Sequence, residues 1–210
     1  GIFMAGNLII AINRQYGSGG KEIGTKLAKD LGIPIYDQEI PEMAAKKSGI
    51  RKDYFEKVDE KPTDSFLYAL AMNTFSMNGT VNPFDNTLSS DRLFNIQAEV
   101  VQEIAKEGPC VIIGRCGEYI LRDEPNCISV YICSPMEKRV ERITRLYNLS
   151  PKDAQKKIMS IDKKRDSYYG YYAGKDWRAC ASYNLSIDSG TLGIDNAVEL
   201  IKKYIELKRK

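Results

Sequence analysis

The chain carries a glycine-rich run, Gly17-Ser18-Gly19-Gly20-Lys21, between an apolar segment and an amphipathic one. Residues 8–12 predict a strand, and the spacing of the apolar residues over 23–31 predicts a helix. Glycines let the backbone turn tightly and aim its N–H groups inward, and a helix N-terminus adds partial positive charge. This layout predicts an anion site for the phosphates of a cofactor, formed by Gly17, Ser18, Gly19, Gly20, Lys21, Glu22 and Ile23. The alternative is a tight turn that binds no ligand.

The run departs from the common phosphate-binding pattern G-x-x-x-x-G-K-[ST] at two positions. Gln15 stands where the first glycine is expected, and Glu22 replaces the hydroxyl that normally binds magnesium. A carboxylate there repels phosphate unless a metal ion or a basic side chain lies between them. Glu22 is therefore a candidate ligand for Mg²⁺.

Asp37 is a second candidate carboxylate, because it ends the predicted strand 33–36 close to the glycine-rich run. It could orient a hydroxyl nucleophile or bind Mg²⁺ through water. An aspartate here also suits the N-cap of the helix predicted over 38–48. The residues alone do not decide between these roles.

Several cations are placed to meet a phosphate group. Arg115 follows a predicted buried strand, at the edge where ligands bind in open α/β sheets, and could hold a substrate phosphate. Arg139, Arg142 and Arg145 recur every three residues on one predicted helix, so we expect them to share a face. A further cluster on the next helix could close with them as a lid: Lys163, Lys164 and Arg165. The alternatives are a surface pair for Arg115 and a solvated face for the helical cations.

The segment 168–172 contains four tyrosines and is followed by Trp177. Such rings can stack on a base. They can equally pack the lid against the body or form a contact within a homo-oligomer, and we favour packing.

Strands and helices alternate along the chain. Continuous apolar runs at 110–113 and 127–133 are typical of buried parallel strands, and a last strand is predicted over 184–187. Helices are predicted over 23–31, 38–48, 65–77, 89–108 and 194–207, after Pro135 and from Ser150. Residues 50–64 are highly charged, so we expect them to be exposed, and 78–86 read as a loop by composition. The alternation predicts an α/β fold with a parallel sheet flanked by helices.

Composition limits the chemistry. The length of 210 residues suits one α/β domain, and the net charge of +3 suits an anionic substrate but indicates neither nucleic acid nor a membrane surface. The chain has no histidine, which excludes Ser-His-Asp triads and histidine-based zinc sites. Five cysteines without C-x-x-C spacing, no visible secretory signal and no run of membrane-spanning length favour a cytoplasmic protein with reduced thiols.

As a set, five segments resemble the cytidylate kinase-like family, a divergent branch of the P-loop nucleoside monophosphate kinases. They are Tyr16–Gly24, Ile35–Asp37, Ile112–Arg115, Asp162–Arg165 with Tyr168-Tyr169, and Ile187–Ser189. The resemblance covers about residues 8–205 and implies a P-loop kinase fold that uses ATP and Mg²⁺. It also implies a single domain over 1–210, with a core at about 7–37, 90–133 and 184–207, an acceptor-binding helical insertion at about 38–89 and a lid at about 134–180.

The resemblance also implies roles for single residues. Gly17 to Lys21 would cradle the donor phosphates, and Arg115 would bind the acceptor phosphate. Arg142 and Arg165 would act as lid cations, and Ile187–Ser189 would lie near the donor base. We therefore expect four catalytic residues: Lys21, Asp37, Arg142 and Arg165. Arg139 and Arg145 join Asp37 and Arg115 as expected substrate-binding residues.

The acceptor region departs from that of cytidylate kinases. Residues 38–43 lack the arginine expected after the second strand, and Cys116 replaces the aspartate that follows the glycine–arginine pair. Cytidine specificity therefore does not follow. We expect phosphoryl transfer to a small acceptor such as a nucleoside monophosphate, with a non-catalytic nucleotide-binding regulator and a kinase of a non-nucleotide metabolite as alternatives.

Overall fold

The computed structural model describes residues 7–58 and 90–208, and its centre is a parallel sheet. The described strands are β1 (Ile9–Arg14), β2 (Ile35–Tyr36), β3 (Cys110–Ile113), β4 (Cys127–Cys133) and β5 (Leu185–Asp188). They are ordered β2-β3-β1-β4-β5, and every neighbouring pair is parallel. All carboxyl ends therefore meet at one edge of the sheet.

Helices fill the connections between these strands, as the alternation predicts. The described helices are α1 (Gly20–Leu31), α2 (Glu39–Ser48), α3 (Lys52–Val58), α4 (Ser90–Glu107), α5 (Gly117–Ile120), α6 (Met136–Tyr147), α7 (Pro151–Ala173), α8 (Ser189–Leu192) and α9 (Ile194–Lys208). Crossovers through helices are what parallel strands require, since a short hairpin cannot join them.

The sheet is buried on both faces, which explains why its strands are continuous apolar runs. Successive side chains of β1 enter different cores, with Ile10 and Ile12 on one face and Ile9 on the other. Helices α1 and α9 cover the first face. Helices α2, α4 and α5 cover the second, together with aromatic residues at the end of α7.

Helix α1 shows how the sequence fixes its own boundaries. Ile23, Leu27 and Ala28 lie on one face and are buried against the sheet. Gly32 adopts a left-handed conformation and donates its N–H to the carbonyl groups of Ala28 and Lys29, which ends the helix. The prediction of a helix directly after the glycine-rich run is therefore confirmed.

The expectation that residues 50–64 are exposed is wrong for the described part of that segment. Lys52–Val58 forms α3, and Phe55 is fully buried in the core beneath α2 and α4. The many charged residues of this segment mask a short apolar spacing, Ile50, Tyr54, Phe55 and Val58, that is typical of one helical face. The helix predicted over 65–77 and the loop predicted over 78–86 lie outside the described residues.

The aromatic segment packs inside the protein. Tyr168, Tyr169 and Trp177 are buried, and the ring of Tyr172 stacks on Phe94 of α4 with centroids 3.9 Å apart. These rings join the end of α7 to the second core, which supports the packing interpretation over base stacking.

All five cysteines are free thiols, as expected. Within residues 7–58 and 90–208, no helix is both long enough and apolar enough to cross a membrane.

Replacing Phe55 with Ala tests the placement of α3. We expect the free energy of unfolding to fall by about 3–5 kcal/mol, because a fully buried aromatic side chain leaves a cavity. Lys46→Ala, on the exposed surface of α2, is the control and should change the free energy of unfolding by less than about 0.5 kcal/mol. Urea unfolding of both variants measures this, and equal small effects would contradict the buried position of Phe55.

Candidate active site

A cavity of about 690 Å³ opens at the carboxyl edge of the sheet. The chain leaves β1 for α1 on one face and leaves β3 for α5 on the other, so a crevice forms between these two strands. Its walls come from the β1–α1 loop, the ends of β2 and β3, and helices α6 and α7. The lining includes Arg14, Gly17, Gly19, Gly20, Lys21, Glu22, Asp37, Arg115, Arg142, Lys164 and Arg165. The structure thus brings most of the predicted site residues together.

The glycine loop is closed by its own backbone. The Gln15 N–H donates to the Ile132 carbonyl at 2.9 Å, and the Gln15 carbonyl accepts the Ser18 hydroxyl at 2.8 Å. Gly19 has a φ of 81°, and a Cβ there would lie 2.5 Å from Cδ1 of Ile194. Only glycine fits this position.

The N-terminus of α1 opens into the cavity. Gly19 is its N-cap residue, and among the described residues no side chain caps it. Helix N-termini carry unsatisfied N–H groups and partial positive charge, so this end is suited to an anion.

Two of the predicted cofactor-binding residues point elsewhere. Ser18 is buried, and its hydroxyl is used inside the loop. Ile23 is buried in the core, and its N–H donates to the Gly19 carbonyl at 2.9 Å. These positions contribute to the shape of the loop, which the sequence pattern did not distinguish from ligand contact.

A buried ion pair supports the loop from below. Nη1 of Arg139 on α6 lies 2.5 Å from Oδ2 of Asp162 on α7, and the two side chains are only 7% and 14% exposed. The other carboxylate oxygen of Asp162 accepts the N–H of Tyr16 at 2.7 Å. The pair therefore joins the loop to both helices.

This position corrects the role expected for Arg139, which lies under the loop and not among the residues that line the cavity. Arg145 is exposed and also lies outside the lining, so of the three helical arginines only Arg142 faces the cavity. A step of three residues falls short of a helical turn by about 60°, so Arg139 and Arg145 point about 120° apart. The expectation that these arginines share one face is wrong for this reason.

Both candidate magnesium ligands are paired with cations. Nζ of Lys21 lies 2.8 Å from Oδ2 of Asp37, and Arg142 is paired with Glu22. Asp37 is not the N-cap of α2, which begins at Glu39 with Gln38 as its cap residue. Lys21 is 62% exposed, so its ammonium is open to a phosphate group, whereas Asp37 is only 15% exposed and would need another positive partner if Lys21 left it.

Arg115 is aimed into the cavity by an unusual turn. Gly114, Arg115 and Cys116 have successive φ values of 68°, 58° and 52°. The left-handed conformation costs a residue with a side chain about 1–2 kcal/mol, and such strain often marks a functional position. Nη1 of Arg115 also donates to Oε1 of Gln97 at 3.4 Å, which orients the guanidinium from α4.

The sequence did not single out Arg14 and Tyr16. Nη1 of Arg165 donates to the Arg14 carbonyl at 2.9 Å, and the Arg165 guanidinium lies 5.7 Å from the centre of the Tyr16 ring. Burial and the neighbouring Tyr147 hydroxyl raise the pKa of Tyr16, so its ring stays neutral beside these cations. Arg14 lies at the carboxyl end of β1, just as Arg115 lies after the carboxyl end of β3. This similar placement was a signal for Arg14 that the sequence already contained.

A model of the cytidylate kinase-like family matches residues 9–191. The chain belongs to this family. Among the curated relatives of this chain, a dephospho-CoA kinase from Bacteroides fragilis is 28% identical over 163 residues, covering 72% of this chain and 75% of the relative. A cytidylate kinase from Ignicoccus hospitalis is 23% identical over 197 residues, covering 94% of this chain and 98% of the relative.

Solved structures share the fold of this chain. An uncharacterized protein from Eubacterium ventriosum superposes with a TM-score of 0.69 at 26% identity, covering 95% of this chain and 99% of the other. A shikimate kinase from Acinetobacter baumannii gives a TM-score of 0.51 at 18% identity, covering 99% of this chain and 98% of the other. The second likeness concerns the fold alone, and it confirms the predicted P-loop kinase-like sheet flanked by helices.

Replacing Asp162 with Ala tests the support beneath the loop. We expect the free energy of unfolding to fall by about 3–5 kcal/mol, because Arg139 would stay buried without its partner. Asp166→Ala, four residues along α7, removes a more exposed pair with Arg178 and should cost less than about 1 kcal/mol. Urea unfolding compares the two, and equal losses would contradict a special role for the buried pair.

Proposed function

We propose that this member of the cytidylate kinase-like family transfers a phosphoryl group from ATP to a small acceptor, with a nucleoside monophosphate as the leading candidate. The observation that carries the proposal is the uncapped N-terminus of α1, which opens into the same cavity as cations from α6 and α7. Phosphoryl transfer depends on positioning and on neutralising charge, and this arrangement offers both.

The donor phosphates fit the glycine loop. A Cβ at Gly19 would lie 2.5 Å from Ile194, and one at Gly20 would lie 2.5 Å from Arg14, so glycines let the loop pack this closely at the N-terminus of α1. The N–H groups there and the Lys21 ammonium would hold the phosphates, and Lys21 would leave Asp37 to do so. Arg142 and Arg165 would close over the transferred group from the lid side.

The glycine loop suits a Mg²⁺ ion that is held by only a few protein ligands. Within residues 7–58 and 90–208, no three potential metal-ligating side chains converge. Mg²⁺ is usually held by one or two carboxylates together with phosphate oxygens, and Asp37 and Glu22 are the carboxylates at the loop. When bound, the ion would offset charge on the phosphate oxygens.

The acceptor would lie beside Arg115, on the β2–β3 side of the cavity. Asp37, Gln38 and Glu56 line that side as well, and could orient a hydroxyl or an amino group. The curated relatives are named for two different acceptors, cytidylate and dephospho-CoA, so they support the reaction class more strongly than one acceptor. The cytoplasmic location and the homo-oligomer expected from the sequence stay predictions.

One observation favours a second function, a non-catalytic nucleotide-binding regulator. Glu22 replaces the hydroxyl that usually binds magnesium, and it is paired with Arg142, a cation assigned here to the transition state. Nucleotide binding that does not respond to Mg²⁺, without turnover on any acceptor, would favour this alternative. Calorimetry of ATP binding with and without Mg²⁺, followed by ADP detection with each nucleoside monophosphate and a set of metabolites, decides between the two.

The Lys21→Ala variant tests the donor site. We expect ADP formation to fall by about 10²–10³-fold, because one preorganised cation at the transferred group is lost. Lys26→Ala, one turn further along α1, removes an exposed pair with Asp195 outside the cavity and should keep full activity. Steady-state kinetics and thermal unfolding are measured together, and full activity of Lys21→Ala would overturn the role of this lysine.

A further inference from the structure

A buried carboxyl group lies behind the active-site cavity. Glu118 on α5 is 7% exposed, and its Oε1 atom has no hydrogen-bond partner among the described residues. An unsatisfied buried polar atom of this kind is costly, so it calls for a reason. The proposed phosphate chemistry does not use Glu118 directly, since it is absent from the lining of that cavity.

Glu118 reaches two elements that build the phosphate site. Asn13, near the end of β1, and Tyr169 on α7 lie close enough to its carboxyl group to lower its pKa. Asn13 lies one residue before Arg14 and accepts the Arg14 N–H at 3.0 Å. The carboxyl group thus connects the start of the glycine loop with the helix that carries Arg165.

The rest of the network holds Asn13 in place. Nε1 of Trp177 donates to Oδ1 of Asn13 at 2.8 Å, and Nδ2 of Asn13 donates to the Tyr183 hydroxyl at 3.2 Å. The Tyr183 hydroxyl in turn donates to the Trp177 carbonyl at 2.8 Å. Asn13, Trp177 and Tyr183 are all buried, so a change in the position of Asn13 passes to its hydrogen-bond partners.

Burial raises the pKa of Glu118 to about 7, against the opposing effect of the Arg14 guanidinium. The other titratable groups that interact with it are Cys127 of β4, Tyr169 of α7 and Tyr183 before β5. Burial and the nearby Glu118 charge raise the pKa of each of them, so they stay neutral near pH 7. Charged side chains also line the second cavity beside Glu118: Arg122, Glu124, Lys175 and Lys208. Arg14 is the cation that both lowers the pKa of Glu118 and lines the active-site cavity.

Arg14 also lines the active-site cavity. Phosphate groups bound there would add negative charge beside its guanidinium and weaken its effect on Glu118. We propose that Glu118 is a positioning residue that takes up a proton from solvent when phosphate groups bind at the glycine loop. The inference rests on the proposed nucleotide binding, but not on turnover.

A second cavity gives the proton a route. It has a volume of about 330 Å³, and Glu118 and Tyr169 both line it, while Tyr169 also lines the first cavity. Asn13 and Tyr169 favour the ionised form of this carboxyl group, so a proton taken up there would weaken its interactions with both residues behind the loaded loop.

The test is calorimetry of Mg·ATP binding at pH 6 and pH 8, in buffers of different ionisation enthalpy, with wild type, Glu118→Gln and Asp123→Asn. The amide variant keeps the shape of Glu118 but cannot titrate, and Asp123 is an exposed carboxylate three residues from the end of α5. We expect wild type and the Asp123 variant to take up an extra fraction of a proton when Mg·ATP binds. Both should also bind Mg·ATP more tightly at pH 6 than at pH 8. A one-unit rise in the pKa of Glu118 corresponds to an affinity change of up to about tenfold, which the Glu118 variant should lack.

Equal proton uptake and equal pH dependence in wild type and Glu118→Gln would overturn the coupling while leaving nucleotide binding intact. No Mg·ATP binding by wild type at either pH would overturn the proposed function, and the coupling with it. If Glu118→Gln does not fold, ¹³C NMR of the glutamate carboxyl groups in wild type gives the answer. The Glu118 midpoint must rise when Mg·ATP is added, and an unchanged midpoint would overturn the inference.

Discussion

The ion pair between Arg139 and Asp162 is the interaction on which the geometry of the candidate active site depends. It lies beneath the glycine loop, and Asp162 also accepts the Tyr16 N–H. The loop is thereby tied to α6 and α7, the helices that carry Arg142 and Arg165. A buried pair contributes little net stability compared with apolar packing, but its geometry is demanding, so it fixes the positions of the elements that meet there.

The same logic extends to the network around Asn13. Asn13 at the end of β1 is held to Trp177 and Tyr183 by hydrogen bonds between buried groups. The cations at the mouth of the cavity are also paired, Lys21 with Asp37 and Arg142 with Glu22, and Lys21 and Glu22 are the most exposed of these four side chains. The floor of the site is therefore rigidly specified, whereas the groups that would meet phosphate can exchange partners.

The sequence predicts the parts of this site that depend on local rules. A strand, a glycine-rich turn and an amphipathic helix each follow from neighbouring residues, and β1, the loop and α1 lie where those rules place them. Arg115 is found for a similar reason, because it directly follows a recognisable buried strand. The family motifs add Arg165, which lines the cavity, and its role as a lid cation stays a prediction.

Other features could not be read from neighbouring residues. Arg139, Arg142 and Arg145 look equivalent in the sequence, yet one is buried under the loop, one faces the cavity and one is exposed. Phe55 is surrounded by charged residues and is nevertheless in the core. The partners that decide these cases, Asp162 for Arg139 and α2 and α4 for Phe55, are distant in sequence or belong to other helices.

The sequence by itself determined the fold class, the layout of strand, glycine turn and helix, and the family, because strand and helix periodicity and the glycine turn are local properties of the chain. Only the tertiary structure decided which cations face the cavity, that Asp37 pairs with Lys21 and does not cap α2, and that Glu118 lies buried behind the site. Each of these depends on which helices pack together and at what rotation. Burial and pairing are set by that packing, and no residue specifies them alone.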